Sequence, residues 1–167
     1  MNELNEIEIR VLHEALDDEY RSWATYDQVI ADFGEVRPFI NIRGAESRHI
    51  EALSGLFARY GVPLPVNPWV GKVERYTSLQ AACEAGVAGE VANGEMYERL
   101  LGQTRRADLL TVLRNLQEAS QQRHLAAFQR CAQAGAGGGG ARGGRGGRQP
   151  HRHPRRRAAA PLCPPSL

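Results

Sequence analysis

The sequence contains no apolar run approaching the roughly 20 residues that a membrane-spanning helix requires, so passage through a bilayer is not indicated. It opens MNELNEIEIRVLHEALDDEY, without the basic start and apolar stretch of a secretory leader, and the expected location is the cytoplasm. Cysteine is scarce: Cys83, Cys131 and Cys163 form an odd set with no CxxC spacing. Neither a disulfide framework nor a thiolate zinc site is therefore expected, and Cys83 and Cys131 read as small core residues. Nowhere do Val, Ile and Thr alternate with polar residues over a useful length, which removes strands from consideration.

What is present is an ordinary apolar and charged fraction over 167 residues, enough for one domain with a real core. The charge is divided unevenly. Residues 1–134 carry all 19 acids and 14 of the 21 Lys and Arg, a net −5, and the remaining residues carry +7.

Four helices are legible in residues 1–134. The first runs from about Glu3 to Phe33, where Ile9, Leu12, Leu16, Glu19, Trp23, Tyr26, Ile30 and Phe33 keep a 3,4 rhythm until Gly34 stops it. The second starts near Val36 to Pro38 and ends at Tyr60 before Gly61, so a short turn makes the first pair an antiparallel hairpin. Residues 62–78 hold three prolines and form a connection. Extended, it would reach roughly 56 Å, against about 36 Å for a 24-residue helix, so the chain can return along the whole bundle. The third helix, Leu79 to Leu101, follows Thr77 or Ser78 as N-cap and ends at Gly102. The fourth, from about Arg106 to Gln133, turns Leu110, Leu113, Leu116, Phe128 and Cys131 inward. The fold expected is all-α: a four-helix bundle of two antiparallel hairpins joined by a long crossover.

From Gly135 the chain reads GAGGGGARGGRGGRQPHRHPRRRAAAPLCPPSL, too poor in apolar residues to offset chain ordering, and disorder is expected over 135–167. Such an RGG-like tail could hold nucleic acid through charge and loose stacking. The same composition is also what GC-rich codons supply in an unselected extension or a shifted frame, and this second reading weighs more.

The informative residues are polar ones in the helical seams. Glu19 interrupts the stripe of the first helix, Glu90 shares a face with Cys83, Val87, Tyr97 and Leu101 on the third, and Glu46 and His49 sit mid-seam on the second. A lone buried carboxylate costs several kcal/mol, so it is normally paired, protonated or bound to a cation. The two hairpins also echo each other: EYRSWATY (19–26) matches EVANGEMY (90–97), and AESRHIEAL (45–53) matches SQQRHLAAF (120–128). Register brings the intruders together, because Glu19 and His49 have their midpoint in the Gly34 turn and Glu90 and Gln121 theirs near the 102–106 turn. Residues three apart on a helix can chelate one ion, which is the use of Glu46-Ser47-Arg48-His49. Oxygen-rich sites with one imidazole per metal suit iron or manganese. Taken singly, Glu46 or His49 would more often be a hydrogen-bonded core residue; together the set points to a metal. Tyr26 and Tyr97 read as core aromatics bonded to the ligand carboxylates, Trp23 as core, His13, His151 and His153 as solvated, and Glu84, Glu95 and Glu98 as outside the seam.

Glu19, Glu46-x-x-His49, Glu90 and His124 resemble the ligand pattern of the ferritin-like di-iron carboxylate superfamily, which includes rubrerythrins and bacterioferritins. The runs FGEVRPFINIRGAESRHIEAL and NLQEASQQRHLAAFQRC are most similar to an uncharacterised prokaryotic ferritin-like family known only as a domain of unknown function; the similarity spans residues 5–133. In place of a second Glu-x-x-His this chain has Gln121-Gln122-Arg123-His124, so three carboxylates would face two divalent ions and the second ion would bind more weakly. Glu118, one turn earlier, is a substitute with a poorer direction.

The resemblance implies a di-iron or Fe/Mn protein that reacts with dioxygen or hydrogen peroxide, of peroxidase or ferroxidase type. Its metal ligands would be Glu19, Glu46, His49, Glu90, Gln121 and His124, with Tyr26 and Tyr97 behind them. With no rubredoxin-like CxxC module, its reductant would be external, and bundles of this sort often dimerise along an outer helix face. The alternative is a metal-storing, metal-sensing or scaffold module without turnover, with nucleic acid held by the tail as a further possibility.

Overall fold

The structure, a computed structural model, describes residues 3–136, which are helical between their connections. The helices are α1 (Glu6–Phe33), α2 (Phe39–Tyr60), α3 (Leu79–Leu101), α4 (Ala107–Glu118) and α5 (Leu125–Ala136), with a π-helical turn, Ala119–His124, joining α4 to α5. No strand occurs among the described residues. The expectations for the tail, with Cys163, His151 and His153, lie outside the described residues, except that α5 continues to Ala136.

Local chemistry sets the ends of each helix. Asn5 and Glu8 form a capping box at the start of α1: the Asn5 side chain accepts from Glu8 N–H at 2.9 Å, and Glu8 accepts from Asn5 N–H at 3.1 Å. Glu8 is buried, and its carboxylate also accepts from Thr104 and Arg106, which ties the start of α1 to the turn between α3 and α4. Gly61 ends α2 at φ 64°, a left-handed position that glycine adopts without a Cβ penalty. Ser78 caps α3 by accepting from Ala81 N–H at 3.1 Å.

α1 packs along α2, α3 packs along α4 and α5, and contacts of α1 with α3 and of α2 with α4 close the set. Residues 61–78 contain no helix. They lie along α1, held by Trp69 Nε1 donating to Asp17, Tyr20 Oη donating to the Pro65 carbonyl, and Arg75 paired with Asp32. No helix of the described residues is long and apolar enough to cross a membrane.

Two apolar clusters fill the interior. One gathers Leu12, Leu16, Leu53, Phe57, Leu100, Leu109 and Leu113; the other gathers Tyr26, Val29, Phe39, Ile42, Cys83 and Phe128. Glu19, Glu46, Glu90 and His124 are buried but belong to neither, and they form a polar layer within the interior.

Several positions differ from the sequence expectation. Leu109 is fully buried where Leu110 is half-buried. Trp23 is half-buried rather than core, because its indole N–H finds an acceptor, Ser47 Oγ, at the edge of the seam. His13 is half-buried, edge-on to the Phe57 ring with centroids 5.0 Å apart.

The cysteine expectation is also corrected. Cys83 and Cys131 form a disulfide between α3 and α5, with Cα atoms 5.7 Å apart. Spacing rules look for nearby cysteines, and these are 48 residues apart. The signal was in the hairpin register, since their midpoint, residue 107, nearly coincides with that of Glu90 and Gln121.

Close approach of α3 to the helix opposite depends on two glycines. A Cβ on Gly86 would stand 2.6 Å from the Phe128 ring, and one on Gly94 would stand 2.3 Å from the Gln121 amide.

Candidate metal centre

The polar layer is assembled from every long segment: Glu19 from α1, Glu46 and His49 from α2, Glu90 from α3 and His124 from the π turn. Each sits on an inward face because the apolar residues one turn away on its helix are drawn into the two clusters. Donor atoms of Glu19, Glu46 and His49 lie within 4.8 Å of one another, as do those of Glu46, Glu90 and His124. Glu46 belongs to both triads.

The geometry at Glu46 is two-sided. His49 Nδ1 lies 2.8 Å from Glu46 Oε2 and 3.1 Å from Glu19 Oε2. His124 Nδ1 lies 3.3 Å from Glu46 Oε1 and 3.6 Å from Glu90 Oε1. The two imidazoles stack with centroids 5.6 Å apart. One carboxylate thus presents one oxygen to each imidazole.

Tyr97 and Tyr26 bond crosswise to two of these carboxylates. Tyr97 of α3 donates to Glu19 Oε1 of α1 at 2.5 Å, and Tyr26 of α1 donates to Glu90 Oε1 of α3 at 2.9 Å. Each hydroxyl fixes a carboxylate and leaves that residue's other oxygen for a second partner. For Glu90 the second partner is Ser120, whose hydroxyl donates to Oε2 at 2.5 Å.

Ser120 is the residue that the sequence reading missed, and Gln121 the one it misplaced. Gln121 lies outside the layer: its amide N–H donates to the backbone carbonyl of Glu90 at 2.6 Å, across the space left by Gly94. The cause is the π turn, which accommodates about one extra residue, so the partner sharing a face with His124 moves from three residues earlier to four. Glu118 does not substitute, being exposed on the last turn of α4. The signal lay in the apolar spacing. Leu116 and Phe128 are both buried, yet twelve residues make about three and a third α-helical turns, so one residue must be absorbed between them.

Charge in the layer is redistributed by burial. Desolvation and the neighbouring Glu46 charge raise the Glu19 carboxyl well above its ordinary value. Burial also opposes ionisation of Glu46, but hydrogen bonds from His124 and His49 outweigh it and hold that carboxyl below the usual range. Burial likewise works against charged His49, but hydrogen bonds and charge from Glu19 and Glu46 lift it to about 10. His124, against the same penalty, is lifted to about 9 by Glu46 and Glu90. Desolvation, aided by Glu90 and Glu19 respectively, raises the Tyr26 and Tyr97 phenols, so both remain hydrogen-bond donors at neutral pH.

A cavity of about 350 Å³ between α1, α3 and the crossover has Tyr26, Arg21 and Lys72 in its wall but none of the five Glu and His residues. Glu84, Glu95 and Glu98 are exposed and take no part in the centre.

No protein-family model matches this chain, and no curated protein does. Among solved structures, it is similar to a hypothetical protein of Methanococcus jannaschii, at 22% identity and a TM-score of 0.73, over 81% of this chain and 85% of that one. At that identity the likeness shows the fold alone.

Proposed function

We propose that this chain is a ferritin-like four-helix bundle that binds two transition-metal ions, iron or iron with manganese, and reacts with dioxygen or hydrogen peroxide. The observation that carries the reading is Glu46, one carboxylate shared by two Glu/His triads. Shared carboxylates let two cations sit near each other with less repulsion. In the fold reading, α1, α2, α3 and the α4–π–α5 rod are the four helices, and residues 61–78 are the crossover.

The donor set fits such a pair. Three carboxylates and two imidazoles give each ion mostly oxygen and one nitrogen, the combination that suits iron and manganese better than thiolate-seeking metals. Glu19 and His49 would hold one ion, Glu90 and His124 the other, and Glu46 both. When bound, the pair supplies two electrons, one per ion, for reduction of a small oxidant. The chain's own residues do the rest. Tyr97 and Tyr26 orient Glu19 and Glu90, the two apolar clusters exclude bulk water, and Ser120 keeps Glu90 turned toward the layer. Because the 350 Å³ cavity is lined by none of the five residues, a small oxidant is favoured over a large organic substrate.

Ser120 also supports unequal occupancy. A neutral hydroxyl stands where a fourth carboxylate would, so three negative charges face two divalent ions and the ion at Glu90 and His124 is the weaker. The test is metal analysis of the purified protein, followed by ferrous titration and stopped-flow peroxide consumption. Two bound irons with peroxide consumed in proportion to iron support the reading. One inert ion would leave a metal-holding module, and equal heat resistance with and without chelator, with no uptake of iron or manganese at micromolar supply, would discard the metal centre altogether.

A further inference from the structure

The Cys83–Cys131 disulfide is not sealed in the core. Cys83 is fully buried, but Cys131 is half-buried, and both line a cavity of about 590 Å³ bounded by the start of α2, the start of α3 and the far end of α5. Its wall also holds Arg37 and Arg130, both exposed and without an ion-pair partner among the described residues, together with Asn41. That volume is within the range that admits a small organic molecule. The wall joins an electrophilic S–S bond to two positive charges.

We propose that this cavity is a thiol–disulfide exchange site for a small anionic thiol. Attack by a thiolate needs a reachable sulfur, and Cys131 is the more exposed of the two. Arg37 and Arg130 would concentrate a carboxylated or sulfonated thiol at the cavity and favour its thiolate form. In the first step the incoming thiolate bonds to Cys131 Sγ, the Cys83–Cys131 bond breaks, and Cys83 leaves as a thiolate that takes a proton from water. In the second step another thiolate attacks the reagent sulfur of the mixed disulfide and releases Cys131. Two thiols are oxidised to one small disulfide, and one protein disulfide is reduced to two thiols; the reverse sequence restores it. None of the cavity residues is a donor in the Glu/His layer, so the inference stands apart from the metal reading.

The test compares reduction of the full-length folded protein by 2-mercaptoethanesulfonate and by cysteamine, an anionic and a cationic thiol of equal length, with rates expressed per thiolate. The sulfonate should react at least about fivefold faster, in proportion to its concentration, and the preference should vanish in Arg37→Gln/Arg130→Gln. In Cys83→Ser, the oxidised dimer of the sulfonate should leave an adduct on the peptide containing Cys131. A rate independent of thiol concentration, equal rates for the two thiols, or a preference that survives the double arginine replacement would overturn the proposal, as would an adduct confined to Cys163. The two rate comparisons use the native cysteine pair and hold even if Cys83→Ser fails to fold.

Discussion

Ser120 and Gln121 make opposite predictions at the scale of one residue. Since Ser120 faces Glu90 and Gln121 faces a backbone carbonyl, Ser120→Asp should tighten the ion proposed at Glu90 and His124 by about tenfold, or ~1.4 kcal/mol. Gln121→Glu should not, because its carboxylate would meet the Glu90 carbonyl and lose the hydrogen bond that Gln121 now donates. Isothermal titration of both variants with ferrous or manganous ion distinguishes them. The histidines give a pH prediction. His49 and His124, ordinarily near 6.5, are lifted to about 10 and about 9, so their contribution to stability is complete below pH 6.5 and is lost as pH rises through 9 and 10. Glu19, also raised, acts in the same direction. On the proposed metal reading, an incoming ion would have to displace those protons, so its affinity should rise over the same interval. Urea midpoints of the metal-free protein should fall from pH 6.5 to pH 10, while the shift produced by added metal grows.

The π turn is the element on which the centre depends. Deleting Gln122, an exposed residue inside it, would convert the turn to regular α-helix with Ser120 three residues before His124 and with Leu116 and Phe128 still facing inward. That deletion should change unfolding free energy by less than about 2 kcal/mol. Removing the exposed Arg114 from α4 instead rotates Leu109 and Leu113 out of the core and should cost well above 4 kcal/mol. At the facing helix, Gly86→Ala drives a methyl into Phe128 and should destabilise by about 1–3 kcal/mol in chemical denaturation. These cases show what was readable beforehand. Glu19, Glu46, His49, Glu90 and His124 could be found because each breaks an apolar rhythm at a height that two hairpin turns make equal. Ser120 is hidden from a 3.6-residue rhythm because the π turn does not keep it. The Cys83–Cys131 bond is not legible from spacing along the chain, because it joins positions that are level only across the hairpin. Trp23 sits at the edge rather than in the core, and period alone does not separate a seam from its edge, where an indole N–H needs a partner.

Across the whole molecule, the layer divides the interior, and its charge is balanced chiefly by its own histidines. A ligand that binds only the folded form at a hundred times its Kd should raise stability by about 2.7 kcal/mol. Thermal scans of chelator-treated and metal-loaded protein should therefore separate by several degrees, and Glu46→Ala, which takes one donor from each triad, should abolish the separation. The crossed tyrosines have a consequence for how the chain must be inherited as a unit. Nicking the backbone between residues 62 and 78 leaves both phenol bonds in place, but parting the two resulting fragments strips each acid of its orienting hydroxyl, Glu19 losing Tyr97 and Glu90 losing Tyr26. Neither half is a smaller version of the whole; each carries the key to the other's lock, and mixing the separated fragments is the route by which either regains its own.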